Sequence, residues 1–218
     1  MGYQPALDGL RALAVLAVIA YHYQPADPPL AGGFLGVEVF FVVSGYLITS
    51  LLIEEQARAG RIDLKGFWIR RARRLLPALI TMLAVTTTYA VLFVDDATHR
   101  LRGDLLGALT YVSNWWQLAS GQSYFEELGR PPLLRHLWSL AVEEQWYVLW
   151  PLVAAAGLAW AGRQVNALAV PILCAAALSV TAMVVQFDES NPSAVYLGTH
   201  TRAAGLLIGC LLYTSRCV

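Results

Sequence analysis

Apolar runs long enough to cross a bilayer constrain this chain more than any other feature. A spanning helix needs about 20 predominantly apolar residues, and residues 75–94 and 165–187 supply that length without a charge. Residues 34–53 carry only Glu38, residues 137–161 carry only Glu143 and Glu144, and the shorter run 10–23 holds Arg11 and His22. Inside lipid every backbone polar group must be paired within the protein, which leaves helices or a closed barrel, and runs of this length fit helices. The expected fold is all-α, a polytopic transmembrane helical bundle with five spans. Residues 107–118 are too short to span, and Asn114 with Trp115 and Trp116 suits an interfacial or re-entrant segment. A further apolar run starts near Tyr196, passes His200 and Arg202 and reaches Leu212.

Composition agrees and removes several function classes. Hydrophobic residues make up 57% of the chain and charged residues 14%, against about 25% charged in soluble domains. Fifteen basic residues offset fifteen acidic ones, so no nucleic-acid partner is expected. Cys174, Cys210 and Cys217 have neither metal-ligand nor disulfide-framework spacing and read as packing residues. His22, His99, His136 and His200 are scattered, so no metal site is expected. No repeat, low-complexity tract or linker divides the chain, and residues 1–212 read as one membrane domain. Residues 213–218 follow an expected helix end at Leu212 without capping or loop chemistry, and read as an atypical tail on a chain truncated at its C-terminus.

The first run lacks a basic stretch before it and a small-residue cleavage site after it, so it reads as retained rather than as a signal peptide. Arg58, Arg61, Lys65, Arg70, Arg71, Arg73 and Arg74 cluster between the second and third runs, whereas residues 24–33 hold no basic residue. The positive-inside bias then places that basic loop, the N-terminus and the Arg163 turn in the cytoplasm, with residues 95–104 outside.

Ionisable residues inside a membrane are costly unless paired or solvated, and each is a functional candidate. Arg11 and His22 stand eleven residues apart, about 16 Å along a helix and close to three turns, so both project from nearly one face at two depths. Asp8 can pair with Arg11 or cap the helix. His22 is either an interfacial histidine beside Tyr21 and Tyr23 or a general base for an acceptor hydroxyl, and a covalent acyl-histidine is a further possibility. Gly45, after Ser44, reads as a close helix contact. The run Arg70-Arg71-Ala72-Arg73-Arg74 serves as a topology signal, draws anionic lipid, or binds the phosphates of coenzyme A. Glu143 and Glu144 differ by about 100° around a helix, so at most one can face a given partner well. Arg202 needs a partner, for which Glu38, Glu143 and Glu144 are all candidates.

Four segments in this order resemble one family. They are Leu7-Asp8-Gly9-Leu10-Arg11 followed by His22; residues 36–48, Gly-Val-Glu-Val-Phe-Phe-Val-Val-Ser-Gly-Tyr-Leu-Ile; residues 71–77, Arg-Ala-Arg-Arg-Leu-Leu-Pro; and residues 138–145, Trp-Ser-Leu-Ala-Val-Glu-Glu-Gln. The family is acyltransferase family 3, the bacterial integral-membrane O-acyltransferases of the O-antigen and peptidoglycan acetyltransferase type. The chain departs from it in having Leu35 where Phe is common and Glu38 where Asp is frequent, and in supplying fewer helices than a family domain.

The resemblance implies a multi-pass bacterial inner-membrane enzyme without a permanently bound cofactor. It would move an acetyl or other short acyl group from acyl-CoA to a hydroxyl of an envelope polysaccharide or lipid-linked glycan. The first-helix histidine role falls on His22, with Glu38 and Glu143 joining it in catalysis, and donor binding falls on Arg11, Arg71 and Arg74. Asp8, Ser44, Trp138, Glu144 and Arg202 would support them. Beside that reading stand a transporter that moves an acyl group or glycan without chemistry, using buried charges as its path, and an inactive fragment of such an enzyme.

Overall fold

The computed structural model describes residues 4–23, 29–94, 98–125, 132–162 and 164–216. Among the described residues the chain is all-α: α1 Pro5–Tyr23, α2 Gly36–Ala59, α3 Leu64–Phe93, α4 Thr98–Leu109, α5 Ser113–Ala119, α6 Leu137–Trp160, α7 Ala169–Val185, α8 Pro192–Leu197 and α9 Thr199–Arg216. Short 3-10 turns, Gly33–Leu35 and Val165–Leu168, lead into α2 and α7. Four stretches are long and apolar enough to cross a membrane: Pro5–Tyr23, Gly33–Ala59, Leu64–Phe93 and Val165–Val185. The fifth expected span forms as α6 and is about 36 Å long, but it is not among those four, its first half carrying Glu143, Glu144 and Gln145.

Two helix boundaries differ from the sequence expectation, each for a local reason. α2 ends at Gly60, which takes a left-handed φ of 69° and donates its N–H to the Gln56 carbonyl, a conformation glycine adopts without penalty. Asp63 then accepts a hydrogen bond from the Gly66 N–H at 3.0 Å and caps α3. The arginine run expected in a loop therefore forms the early turns of α3, where arginine, alanine and leucine are all good helix formers. At the other end, α9 does not stop at Leu212 but runs to Arg216. Thr214 is buried there, and Tyr213 packs edge-on against Tyr46 at 5.4 Å between centroids. Asp95, Asp96, Arg163 and Cys217 lie outside the described residues.

The chain groups into two compact units. The first takes Met1–Ile62, Trp150–Ala182 and Arg202–Val218, and glycine sets its helix spacing. A Cβ at Gly33 would lie 2.2 Å from the Ala17 carbonyl oxygen, and one at Gly36 would lie 2.5 Å from that of Ala14. The backbone of α1 thus rests directly on the start of α2. On the other side of α2, a Cβ at Gly45 would lie 1.9 Å from the Leu206 carbonyl oxygen and one at Gly209 would lie 2.0 Å from that of Val42. These contacts are the close packing expected of Gly45, with Gly205 and Gly209 forming the small-residue stripe on α9. Cys210 fills the same seam, its Sγ 3.5 Å from the Gly45 carbonyl, whereas Cys174, expected to pack, is exposed on α7.

The second unit takes Asp63–Leu149 and Met183–Thr201. Its apolar core joins Leu79, Leu83 and Ala90 of α3 to Leu101 and Ala108 of α4 and to Leu134 and Leu137. Between α4 and α5 the chain turns at Tyr111, which has a φ of 55°. The turn breaks the 107–118 segment into helices too short to cross. The Trp116 ring lies on Gly103, and its indole N–H donates to Asp104 at 2.8 Å.

Candidate active site

In the first unit, α1 carries Asp8, Arg11 and His22. Asp8 lies in the first turn and pairs with Arg11 at 3.9 Å, so pairing rather than capping is its role in the helix. His22 lies exposed in the last turn, where Nδ1–H donates to the Val18 carbonyl at 2.8 Å. That bond selects the tautomer with its lone pair on Nε2, the form a general base needs. Tyr21 meets the imidazole edge-on at 5.1 Å.

Glu38, in the first turn of α2, is the partner of Arg202 on α9. Of the three carboxylates open to Arg202 by sequence, this one is selected by helix packing. A Cβ at Gly205 would lie 2.9 Å from Glu38 Oε2, so a glycine makes room for the carboxylate. Ser44 is buried in α2 at 1% exposure. Nearby, the Trp150 indole N–H donates to Thr49 Oγ1 at 3.0 Å.

The second unit gathers Arg71, Glu143 and Glu144. The Arg71 Nε–H lies 3.0 Å from both Glu144 oxygens, and Nη2 donates to Oε1 of the same carboxylate. Glu143 Oε1 stands 3.7 Å from Nη2. One glutamate is thus engaged through both oxygens and its neighbour only by charge, as the angular offset of adjacent residues requires. The guanidinium carbon also lies 3.1 Å from the centroid of the Tyr147 ring, a cation–π contact. Trp68 donates its indole N–H to the Tyr147 carbonyl at 3.0 Å and steadies that residue. Arg135 donates to the Tyr124 carbonyl at 3.3 Å and lies over the Tyr124 ring. Trp138 is buried against Tyr124 and Tyr196. Arg73 and Arg74 are exposed on α3.

Arg71 and Glu144 form part of the wall of a cavity of about 450 Å³, together with Trp68, Leu75, Tyr111 and Val148. Burial and the Glu144 charge hold the Tyr111 phenol above its ordinary value, against the opposing pull of Arg71. The backbone of that tyrosine is fixed by a polar knot that sequence reading missed. Gln145 donates to the Tyr111 carbonyl at 2.8 Å and to Asn114 Oδ1 at 2.9 Å, while Thr199 donates to Gln145 Oε1 at 2.6 Å. Asn114 in turn donates to Thr199 Oγ1 at 2.9 Å and to the Leu197 carbonyl at 3.0 Å. A buried amide inside apolar surroundings was the one signal that such a network existed. Among the described residues no group of three His, Cys, Asp or Glu side chains could hold a metal ion.

The family model for the acyltransferase domain matches residues 4–216. The chain is 45% identical to the peptidoglycan O-acetyltransferase OatA of Listeria monocytogenes over 210 residues, covering 96% of this chain and 33% of that protein. It is 45% identical to the putative peptidoglycan O-acetyltransferase YrhL of Bacillus subtilis, with the same coverage of each. It is 44% identical to the O-acetyltransferase OatA of Staphylococcus aureus, covering 96% of this chain and 34% of that one. The chain thus spans about a third of the length of these relatives. No solved structure matches it.

Proposed function

The chain belongs to this acyltransferase domain family, and from that premise we propose that it is the membrane part of an O-acetyltransferase acting on peptidoglycan or a related envelope glycan. Support for the glycan comes from the names of the relatives, two of which specify peptidoglycan. The donor is an acyl-CoA, acetyl-CoA in the simplest case, whose phosphates meet the arginine-rich early turns of α3 and Arg11. The protein is multi-pass in the bacterial inner membrane with its N-terminus in the cytoplasm, as the basic residues around the α2–α3 turn favour.

His22 is the general base. Its Nε2 accepts the proton of an acceptor hydroxyl as the oxygen attacks the thioester carbonyl, and the thiolate of CoA leaves and takes up a proton. The observation that carries this reading is the Nδ1–H bond to the Val18 carbonyl, which holds the imidazole in the tautomer a base requires. Glu38 and Glu143 are assigned to the same chemistry, and Asp8, Ser44, Trp138, Glu144 and Arg202 to supporting it.

The test is transfer of labelled acetyl from acetyl-CoA to peptidoglycan by membranes holding wild-type protein or His22→Ala at matched abundance. Loss of a general base lowers turnover by about 10²–10⁴-fold. Transfer at the wild-type rate by the variant removes His22 from the mechanism.

A further inference from the structure

Trp115 and His200 bring two rings together on the surface of the second unit. Their planes lie 12° from parallel with centroids 6.3 Å apart, and both residues are exposed, Trp115 to 41%. Each ring is tied down by an amide. The Trp115 indole N–H donates to Gln145 Oε1 at 3.3 Å, and His200 Nε2–H donates to Gln186 Oε1 at 2.8 Å. Gln145 also accepts from Thr199 and donates to the Tyr111 carbonyl and to Asn114, so both lone pairs and both N–H groups of its amide are used. The imidazole rests on Gly198, where a Cβ would lie 3.2 Å from His200 Cε1.

A tryptophan that serves only as a membrane-interface anchor turns its N–H to water or headgroups and its ring to lipid. Trp115 gives its N–H to Gln145, so what it exposes is ring carbon held in one orientation. The Gln186 amide has its oxygen occupied by His200, while its NH2 group makes no hydrogen bond among the described residues. Fixed aromatic carbon beside an amide donor matches an uncharged sugar ring, which has a C–H face and carries hydroxyl or acetamido oxygens at its edge. An anionic lipid headgroup calls for lysine or arginine, and the set Trp115, Gln145, Gln186, Thr199 and His200 has neither. With the Arg163 turn in the cytoplasm, residues 165–185 cross outward, and Gln186 follows on the side where envelope glycan lies.

Resting on the glycan-acceptor reading above, we propose that Trp115, His200 and Gln186 form an acceptor subsite. A pyranose ring of the glycan lies with its C–H face on Trp115, and the His200 ring extends that surface. The Gln186 NH2 group donates to a hydroxyl or acetamido oxygen at the sugar's edge. The experiment uses the full-length protein in nanodiscs of zwitterionic lipid, without acetyl-CoA, titrated with the tetrasaccharide of N-acetylglucosamine. Trp115→Ala is expected to raise Kd about tenfold through loss of the aromatic contact, and Trp115→Phe to return it to within about threefold of wild type. Gln186→Ala changes an exposed side chain and is expected to raise Kd about fivefold, the loss of one hydrogen bond. In fluorine NMR of protein carrying 5-fluorotryptophan, the resonance missing from Trp115→Phe belongs to Trp115. That resonance is expected to move with added sugar at the same Kd.

The subsite is overturned if Trp115→Ala or Gln186→Ala binds the tetrasaccharide as tightly as wild type, or if the Trp115 resonance stays fixed. Should Trp115→Ala fail to fold, Gln186→Ala and the Trp115 resonance decide. Movement of that resonance only when anionic lipid replaces zwitterionic lipid also overturns the subsite and assigns the ring to headgroups. Wild-type protein that binds no tetrasaccharide but still acetylates peptidoglycan defeats the subsite alone. Wild-type protein that does neither defeats the acceptor reading as well.

Discussion

Two arginine–glutamate pairs of the same chemistry sit in different surroundings. In the first unit, Arg202 and Glu38 meet where Gly205 leaves space for the carboxylate, on a seam that Gly45 and Gly209 close at backbone distance. In the second, Arg71 and Glu144 meet under the Tyr147 ring and border a cavity of about 450 Å³. The first pair lies against helix backbone at Gly205, with Glu38 still 30% exposed, and joins α2 to α9. The second has open volume beside it, so its charge also shapes the surface a ligand would touch. An intramembrane charge is therefore best judged by what lies behind it, since pairing alone does not separate a fastener from the wall of a site.

That contrast can be broken most severely at the seam. Gly45→Leu drives a side chain into the Leu206 carbonyl, where backbone cannot yield, and is expected to cost about 5 kcal/mol, seen as loss of monodisperse protein in detergent. Next, Arg202→Ala leaves Glu38 without its guanidinium and should cost about 3 kcal/mol in unfolding assays. Replacing both partners with methionine should recover most of it, because no lone charge remains. Cavity entry should be untouched by that pair of changes, which separates the seam from the site.

In the second unit, Asn114→Leu leaves one Gln145 N–H without its acceptor and is expected to cost about 2 kcal/mol, with the chemical shift of a labelled Tyr111 reporting the loosened turn. The smallest effect is on titration. Burial and the Glu144 charge raise the Tyr111 phenol in the fold, so its contribution to stability is complete below the ordinary phenol pKa and lost as pH rises through the raised value. Glu144→Gln should move the Tyr111 titration back toward the ordinary value by NMR of labelled tyrosine. An unmoved titration would mean that the carboxylate does not act on the cavity.

Much of this was legible in the order of the residues. Uncharged runs such as 75–94 announced helices because lipid permits little else, and the four motif segments pointed to the acyltransferase domain family, which the match over residues 4–216 then showed. Gly45 read as a contact glycine and is one. What the chain did not reveal is which charge meets which. Arg202 had three glutamates open to it, and only the packing of α2 against α9, 164 residues apart in sequence, selects Glu38. The early start of α3 was missed because a single aspartate, Asp63, carries the cap that turns an apparent basic loop into helix. The Asn114, Gln145 and Thr199 knot joins three separated segments, and no local spacing brings them together.

The most direct measurement is the release of CoA thiol by membranes containing the full-length protein, given acetyl-CoA on the cytoplasmic side, with and without peptidoglycan acceptor. Thiol release that depends on acceptor and matches the acetyl groups gained by glycan is the expected result. Acetyl-CoA or glycan crossing the membrane intact, with no thiol released, would contradict an acyltransferase and leave the buried charges as a path for transport.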